Sequence, residues 1–302
     1  MKRNNDKIFS VMIMIQEFAR AKINLTLDIL GKRADGYHEV EMLMQTVELA
    51  DVVELSKISA GIKLQVDAEK IFGRENIPVD EKNLAYKAAV AVQNYCGENF
   101  CVAINLTKKI PAAAGLAGGS SDAAAVIRGM NKLFNLKLTV GELCEIGASV
   151  GSDVPFCIIG GTCLAAGRGE ILTKLPDFKK YFVVLLKPRG EISTAWSYKT
   201  FDELPAEKIS HPPTQEIIKL LDLGEYEKAF ANFKNVLEPV ALKKFPAIEK
   251  YKEKMFESGA KFAMMSGSGP TIFALAEDEI TAKKIASGIE GQGAQIFITK
   301  IF

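Results

Sequence analysis

The clearest chemical signal in the chain is one stretch near its middle, Pro111-Ala-Ala-Ala-Gly-Leu-Ala-Gly-Gly-Ser-Ser-Asp122. Glycine has no Cβ, so Gly115, Gly118 and Gly119 can take positive φ and let a bound group approach the backbone. Ser120, Ser121 and Asp122 are helix-starting types, because their side-chain oxygens accept the unpaired N–H groups of a first turn. Beyond them Ala123, Val126, Ile127, Met130 and Phe134 recur on one helical face. A loop that runs into a helix N-terminus presents free N–H groups and the positive end of a dipole, which together hold anionic phosphate. The plainer reading is a tight turn before a buried helix, but three glycines and two serines at a helix start favour phosphate.

The loop is neither of the two commonest phosphate motifs. The sole Gly-Lys pair, Gly31-Lys32, precedes Arg33, so no G-x-x-x-x-G-K-[ST] run exists, and G-x-G-x-x-G is absent too. P-loop NTPases, dinucleotide-binding dehydrogenases and protein kinases thereby lose their sequence grounds. No G-x-S-x-G elbow supports a serine hydrolase. The cysteines, Cys96, Cys101, Cys144, Cys157 and Cys163, are odd in number and lack C-x-x-C spacing, which predicts reduced core residues in a cytoplasmic protein. With only His38 and His211 and no H-x-x-x-H, no metal site is expected.

The chain has 302 residues, 48% hydrophobic and 25% charged, enough for one large or two medium cores. Lys and Arg total 38 against 37 Asp and Glu, so no general basic field favours nucleic acid or a membrane surface, and an anion site must be built locally. The longest apolar run, residues 181–186, is too short to span a membrane. Lys2, Arg3 and Lys7 precede an apolar stretch over 8–15, but Gln16, Glu17 and Arg20 follow with no small-x-small cleavage site. We read this as an extension, with Met14 a second candidate start, and not as a secretory signal.

These residues need a frame. Ile23, Leu25, Leu27 and Ile29 alternate with polar residues and predict a half-buried strand, followed by a turn at Asp35-Gly36. Further strands are predicted over 40–47, 62–66, 102–106, 154–159, 181–186, 262–265, 271–275 and 296–301. Helices are predicted over 84–96, after the glycine loop, and over 139–148, 193–201, 214–223, 247–256 and 278–288. The pattern is α+β in two lobes, which we divide as 1–166 and 167–302 at the polar Gly167-Arg-Gly169 stretch.

Three blocks together carry a family resemblance across nearly the whole chain. The central loop resembles the ATP-phosphate loop of the GHMP kinase superfamily, and Met265-Ser-Gly-Ser-Gly-Pro270 resembles its C-terminal glycine motif. Ala21-Lys-Ile-Asn-Leu-Thr-Leu27, Gly31-Lys-Arg-Ala-Asp-Gly-Tyr-His38 and residues 45–51 resemble one branch, which phosphorylates a cytidine diphosphate-linked methylerythritol. The resemblance implies a ribosomal-S5-domain-2-like N-terminal lobe, a ferredoxin-like C-terminal lobe and an active site between them. It implies ATP-dependent transfer to the acceptor's 2-hydroxyl in the non-mevalonate route to isoprenoid precursors, with no nucleic acid or membrane partner. Homoserine- or mevalonate-type kinases are the alternatives within the superfamily, and a non-catalytic nucleotide-binding regulator is the alternative outside catalysis.

Carried over residue by residue, the resemblance makes Lys22 and Asp153 the catalytic pair. Asp153 would accept the hydroxyl proton and Lys22 would orient the charged partners, with the lysine keeping the aspartate ionised. Alone, a strand lysine is usually solvated and an Asp before Val-Pro usually a turn residue. The ATP-binding set is Pro111, Ala112, Ala113, Ala114, Gly115, Leu116, Ala117, Gly118, Gly119, Ser120 and Ser121, with Ala117 tolerable at a glycine-rich position if its φ is negative. Tyr37 and His38 match the cytosine-binding pair, Tyr198 is preferred over Trp196 as a second aromatic platform, and Asn24 is a candidate substrate hydrogen-bonder. Ordinary packing, or a solvent-facing strand for Asn24, is the bland alternative. Mg²⁺ is expected to ride mainly on the nucleotide, with Ser121 a candidate contact and helix capping its alternative role.

Overall fold

The computed structural model describes residues 13–291 and 293–302; Lys2, Arg3 and Lys7 of the N-terminal extension lie outside them. The chain opens with two long antiparallel strands, β1 (Met14–Lys32) and β2 (His38–Lys57), joined by the turn at Asp35-Gly36. There follow β3 (Ile62–Asp67), α1 (Leu84–Cys96), β4 (Val102–Thr107), α2 (Gly118–Leu133), α3 (Val140–Val150), α4 (Val154–Ile159), β5 (Thr162–Ala166) and β6 (Ile171–Lys174). The second half contains β7 (Phe182–Lys187), α5 (Thr194–Phe201), α6 (Thr214–Asp222), α7 (Tyr226–Asn232), α8 (Glu238–Leu242), α9 (Ala247–Glu257), β8 (Phe262–Met265), β9 (Ile272–Ala276), α10 (Glu279–Gly288) and β10 (Gln295–Lys300).

The first sheet runs β3-β4-β2-β5-β6, with β1 also paired to β2. Length explains this branching: residues 52–57 of β2 pair with β4 while residues 42–45 pair with β5. The second sheet runs β10-β7-β9-β8, all antiparallel. On the first sheet α1 to α4 bury a small-residue face, Ala85, Ala88 and Ala89 of α1 against Ala123 to Ile127 of α2. Small side chains let the helices approach the strands closely: a Cβ on Gly129 of α2 would stand 2.0 Å from Leu55 on β2. Among the described residues no helix is long and apolar enough to cross a membrane.

Three expectations change. Residues 154–159 form α4 and not a strand, because Pro155 sits in its first turn, where a fixed φ and a missing N–H suit a helix start. β1 is buried on both faces from Ala21 to Ile29: its apolar residues pack against the second lobe, and the polar ones expected to face solvent are covered by Asp153 at Lys22, Ser266 at Asn24 and His211 at Asp28. The expected division after 166 cuts the β5–β6 hairpin, so the first sheet continues to Lys174.

Candidate active site

Between the lobes lies a cleft of about 1300 Å³, and the glycine loop forms one wall of it. Gly115 has φ 74°, and a Cβ there would stand 2.2 Å from the Ser266 carbonyl oxygen. Ser266 Oγ donates to Gly115 O at 3.0 Å, so the loop and the 266–270 turn pack backbone to backbone. Ala117 has φ 57°, so the condition for an unstrained methyl group there, a negative φ, is not met, and Ala113 has φ 47°. Gly118 and Gly119 open α2 without positive φ; their smallness matters instead, since Cβ atoms there would press on Ile110 at 3.1 Å and Leu84 at 3.3 Å. Pro111 to Gly115 and Ala117 to Ser120 line the cleft, whereas Leu116 is turned into the core and its carbonyl accepts Lys22 N.

Lys22 on β1 reaches the same cleft from beneath. Its Nζ lies 3.8 Å from Asp153 Oδ2 and donates to Asn24 Oδ1 at 2.5 Å. Asp153 precedes α4 with its carboxylate making no capping bond, so that side chain is left to face Lys22 and the cleft. Asn24 has no exposed surface, and its amide pairs with Lys22 Nζ and the Met42 sulfur. It stands behind the cleft wall as a support for Lys22.

At the other end, Tyr37 is half exposed with the Arg168 guanidinium 5.0 Å from its ring centre. The His38 and Tyr198 rings are 4.9 Å apart and tilted by 42°. Burial, and then the charge of Asp153, push the Tyr198 phenol up to about 12, so it stays protonated. Trp196 does not line the cleft; it is partly buried against the apolar core, with Lys244 over its ring at 5.7 Å. Asp202, at the C-terminal end of α5, was not read from the sequence. Its two oxygens meet His38 Nε2 at 2.6 Å and Lys32 Nζ at 2.9 Å. The Lys32 and His38 bonds hold its carboxyl below the usual carboxylate range.

Under the loop lies a buried ionic cluster that the sequence also hid. Lys108 Nζ donates to Asp122 Oδ2 at 2.6 Å and to Asp51, whose other oxygen accepts Ile110 N at 2.8 Å. Burial opposes the charge on Lys108, but the two carboxylates outweigh it and raise its pKa. Burial likewise pushes Asp122 well up, and its Oδ1 has no hydrogen-bond partner. Ser121 does not fit a metal ligand: it is buried, and its hydroxyl serves the Arg20 and Ala117 carbonyls at 2.6 and 3.0 Å. It does not cap the helix either. Among the described residues no group of three or more His, Cys, Asp or Glu side chains could hold a metal ion.

The family model for the GHMP kinases N terminal domain matches residues 83–161, and that for the GHMP kinases C terminal matches residues 206–295. A 4-diphosphocytidyl-2-C-methyl-D-erythritol kinase of Bacillus pumilus (strain SAFR-032) is 44% identical over 287 residues, covering 95% of this chain and 96% of the relative. The chain belongs to the 4-diphosphocytidyl-2-C-methyl-D-erythritol kinase family of GHMP kinases. A crystal structure of a 4-(cytidine 5'-diphospho)-2C-methyl-D-erythritol kinase superposes with a TM-score of 0.78 at 30% identity, covering 95% of this chain and all of that one (100%). A homoserine kinase from Cytophaga hutchinsonii shares the GHMP kinase fold, with a TM-score of 0.76 at 22% identity over 97% of this chain and 96% of its own. The two-lobed α+β architecture is that of GHMP kinases.

Proposed function

We propose that this chain transfers the γ-phosphoryl group of ATP to the 2-hydroxyl of 4-diphosphocytidyl-2-C-methyl-D-erythritol, in the non-mevalonate route to isoprenoid precursors. The observation that carries the reading is one cleft holding three sets of groups: the glycine loop, the Lys22–Asp153 pair, and the Tyr37, His38 and Tyr198 rings. The loop's backbone N–H groups and the N-terminus of α2 suit the donor's phosphates. Asp153 takes the proton from the acceptor hydroxyl as the oxygen–phosphorus bond forms and the bond to ADP breaks. Lys22 offsets the charge gathered there, and Asn24 holds its ammonium in place. Magnesium belongs to the nucleotide in this scheme, where it neutralises phosphate charge. A cytoplasmic location is part of the same proposal.

The base end supports a cytidine acceptor over homoserine or mevalonate, which carry nothing for an aromatic recess to hold. The test is ADP release with 4-diphosphocytidyl-2-C-methyl-D-erythritol, homoserine and mevalonate offered separately. Turnover with the first alone is expected; turnover only with another acceptor, or with none, would overturn the assignment.

A further inference from the structure

We propose that Asp202 is a positioning residue that fixes the tautomer of His38 and so makes the acceptor site choose cytosine over uracil. The inference rests on the acceptor assigned above. Asp202 comes from α5 in the second lobe and His38 from the start of β2 in the first, so the contact of 2.6 Å joins elements 164 residues apart. A carboxylate only accepts hydrogen bonds. Lys32, on the other oxygen at 2.9 Å, keeps it in that form, so the shared proton resides on His38 Nε2. In the neutral ring Nδ1 then carries a lone pair and no proton. His38 lines the cleft with the Tyr198 ring 4.9 Å away, and in this proposal its Nδ1 lone pair meets the base.

A lone pair at the base end discriminates by hydrogen-bond polarity. Cytosine presents an amino donor at its 4-position, whereas uracil presents a carbonyl acceptor there. An acceptor facing an acceptor leaves both groups dry and unpaired, which lowers binding by about ten-fold or more. Without Asp202 the imidazole is free to move its proton to Nδ1, which turns the same atom into a donor that uracil can use. A strut between the lobes would behave differently, since its loss would weaken both bases equally.

The experiment compares kcat/KM for the cytidine acceptor and its uridine counterpart in the wild type, Asp202→Ala and Asp202→Asn, with thermal melting as the check on folding. In parallel, ¹⁵N NMR reads the imidazole tautomers in the ligand-free full chain, where the two histidines make assignment simple. The wild type is expected to favour cytidine by about ten-fold or more and to show His38 protonated at Nε2. In Asp202→Ala the preference should fall toward one and the tautomer bias should disappear. Asp202→Asn, whose amide oxygen still accepts from Nε2, should keep part of both. An unchanged preference in Asp202→Ala, an equal loss for both bases, or an Nδ1-protonated His38 in the wild type would overturn the proposal. No turnover with either acceptor would remove the acceptor assignment and base selection with it, and the NMR tautomer would show separately whether Asp202 sets the ring.

Discussion

At the scale of single residues the site depends on groups whose local sequence says little about their role. Lys22 sits on what reads as an ordinary alternating strand, yet it is buried and paired with Asp153 at 3.8 Å. Substituting Lys22→Met or Asp153→Asn should leave a folded protein whose turnover falls by about 10²- to 10⁴-fold, the usual range for a positioned proton-transfer group. ADP release measured beside a circular-dichroism melt checks this, and near-normal turnover in a folded variant would take that residue out of the mechanism. Ala117 makes a different prediction, because a non-glycine residue at φ 57° costs roughly 1–2 kcal/mol of strain. Ala117→Gly relieves that strain but loosens the unfolded chain, so a net gain of about 0.5–1 kcal/mol is expected in a urea titration. A lower midpoint would mean that the methyl group makes a contact worth more than the strain. The sequence left the φ of Ala117 open because the constraint is remote. Gly115 is pinned against Ser266, and the chain must bend back at Ala117 to enter α2.

Among elements, α2 does the most positioning: its start forms the floor of the phosphate loop and its body fills the core of the first lobe. Lys108, just after β4, ties this start to β2 through Asp122 and Asp51. Replacing Lys108 with Met strands two carboxylates in the interior, and breaking such a buried pair costs about 3–5 kcal/mol. Equilibrium denaturation of Lys108→Met should show a loss of that size, and a loss below about 1 kcal/mol would mean that water or a shifted proton already relieves the cluster. Elements with long periodic patterns, such as α1 and α2, were legible from the chain. The stretch over 154–159 was not, because a short apolar run reads equally as strand or helix until Pro155 is placed in a first turn. The lining of the cleft was legible where its residues are neighbours in sequence, as in the loop and the Tyr37-His38 pair. Asp202 and Arg168 were missed because only the packing of distant elements brings them to the cleft, and Lys108 because its partner Asp51 comes from β2, 57 residues away. The burial of Asn24 was hidden for the same reason, since nothing in its own strand announces the Ser266 turn that packs on it.

For the whole molecule the question is whether the two lobes are independent. Their cores argue that they are not. One apolar cluster joins Leu27, Ile29 and Met44 of the first sheet to Val184, Leu186 and Ile272 of the second, and another joins Ile23, Leu25 and Leu43 to Val183, Leu185 and Phe273. Backbone hydrogen bonds cross as well: Leu27 N donates to Lys234 O at 2.9 Å and Val236 N to Leu27 O at 3.0 Å. Each buried Leu, Ile or Val contributes about 1.5–3 kcal/mol, so separating the lobes would forfeit a sum comparable to the entire stability of a domain. Calorimetry should therefore record one transition whose calorimetric and van't Hoff enthalpies agree. ATP, if it occupies the cleft as proposed, should raise that single transition as a unit. A fragment ending at Lys174 would expose Ile23, Leu25 and Leu43 together and is expected to aggregate or remain unfolded. Two resolved transitions, or a stable fragment with native circular dichroism, would show instead that the first lobe carries its own stability and that the cleft is a hinge between separate folding units.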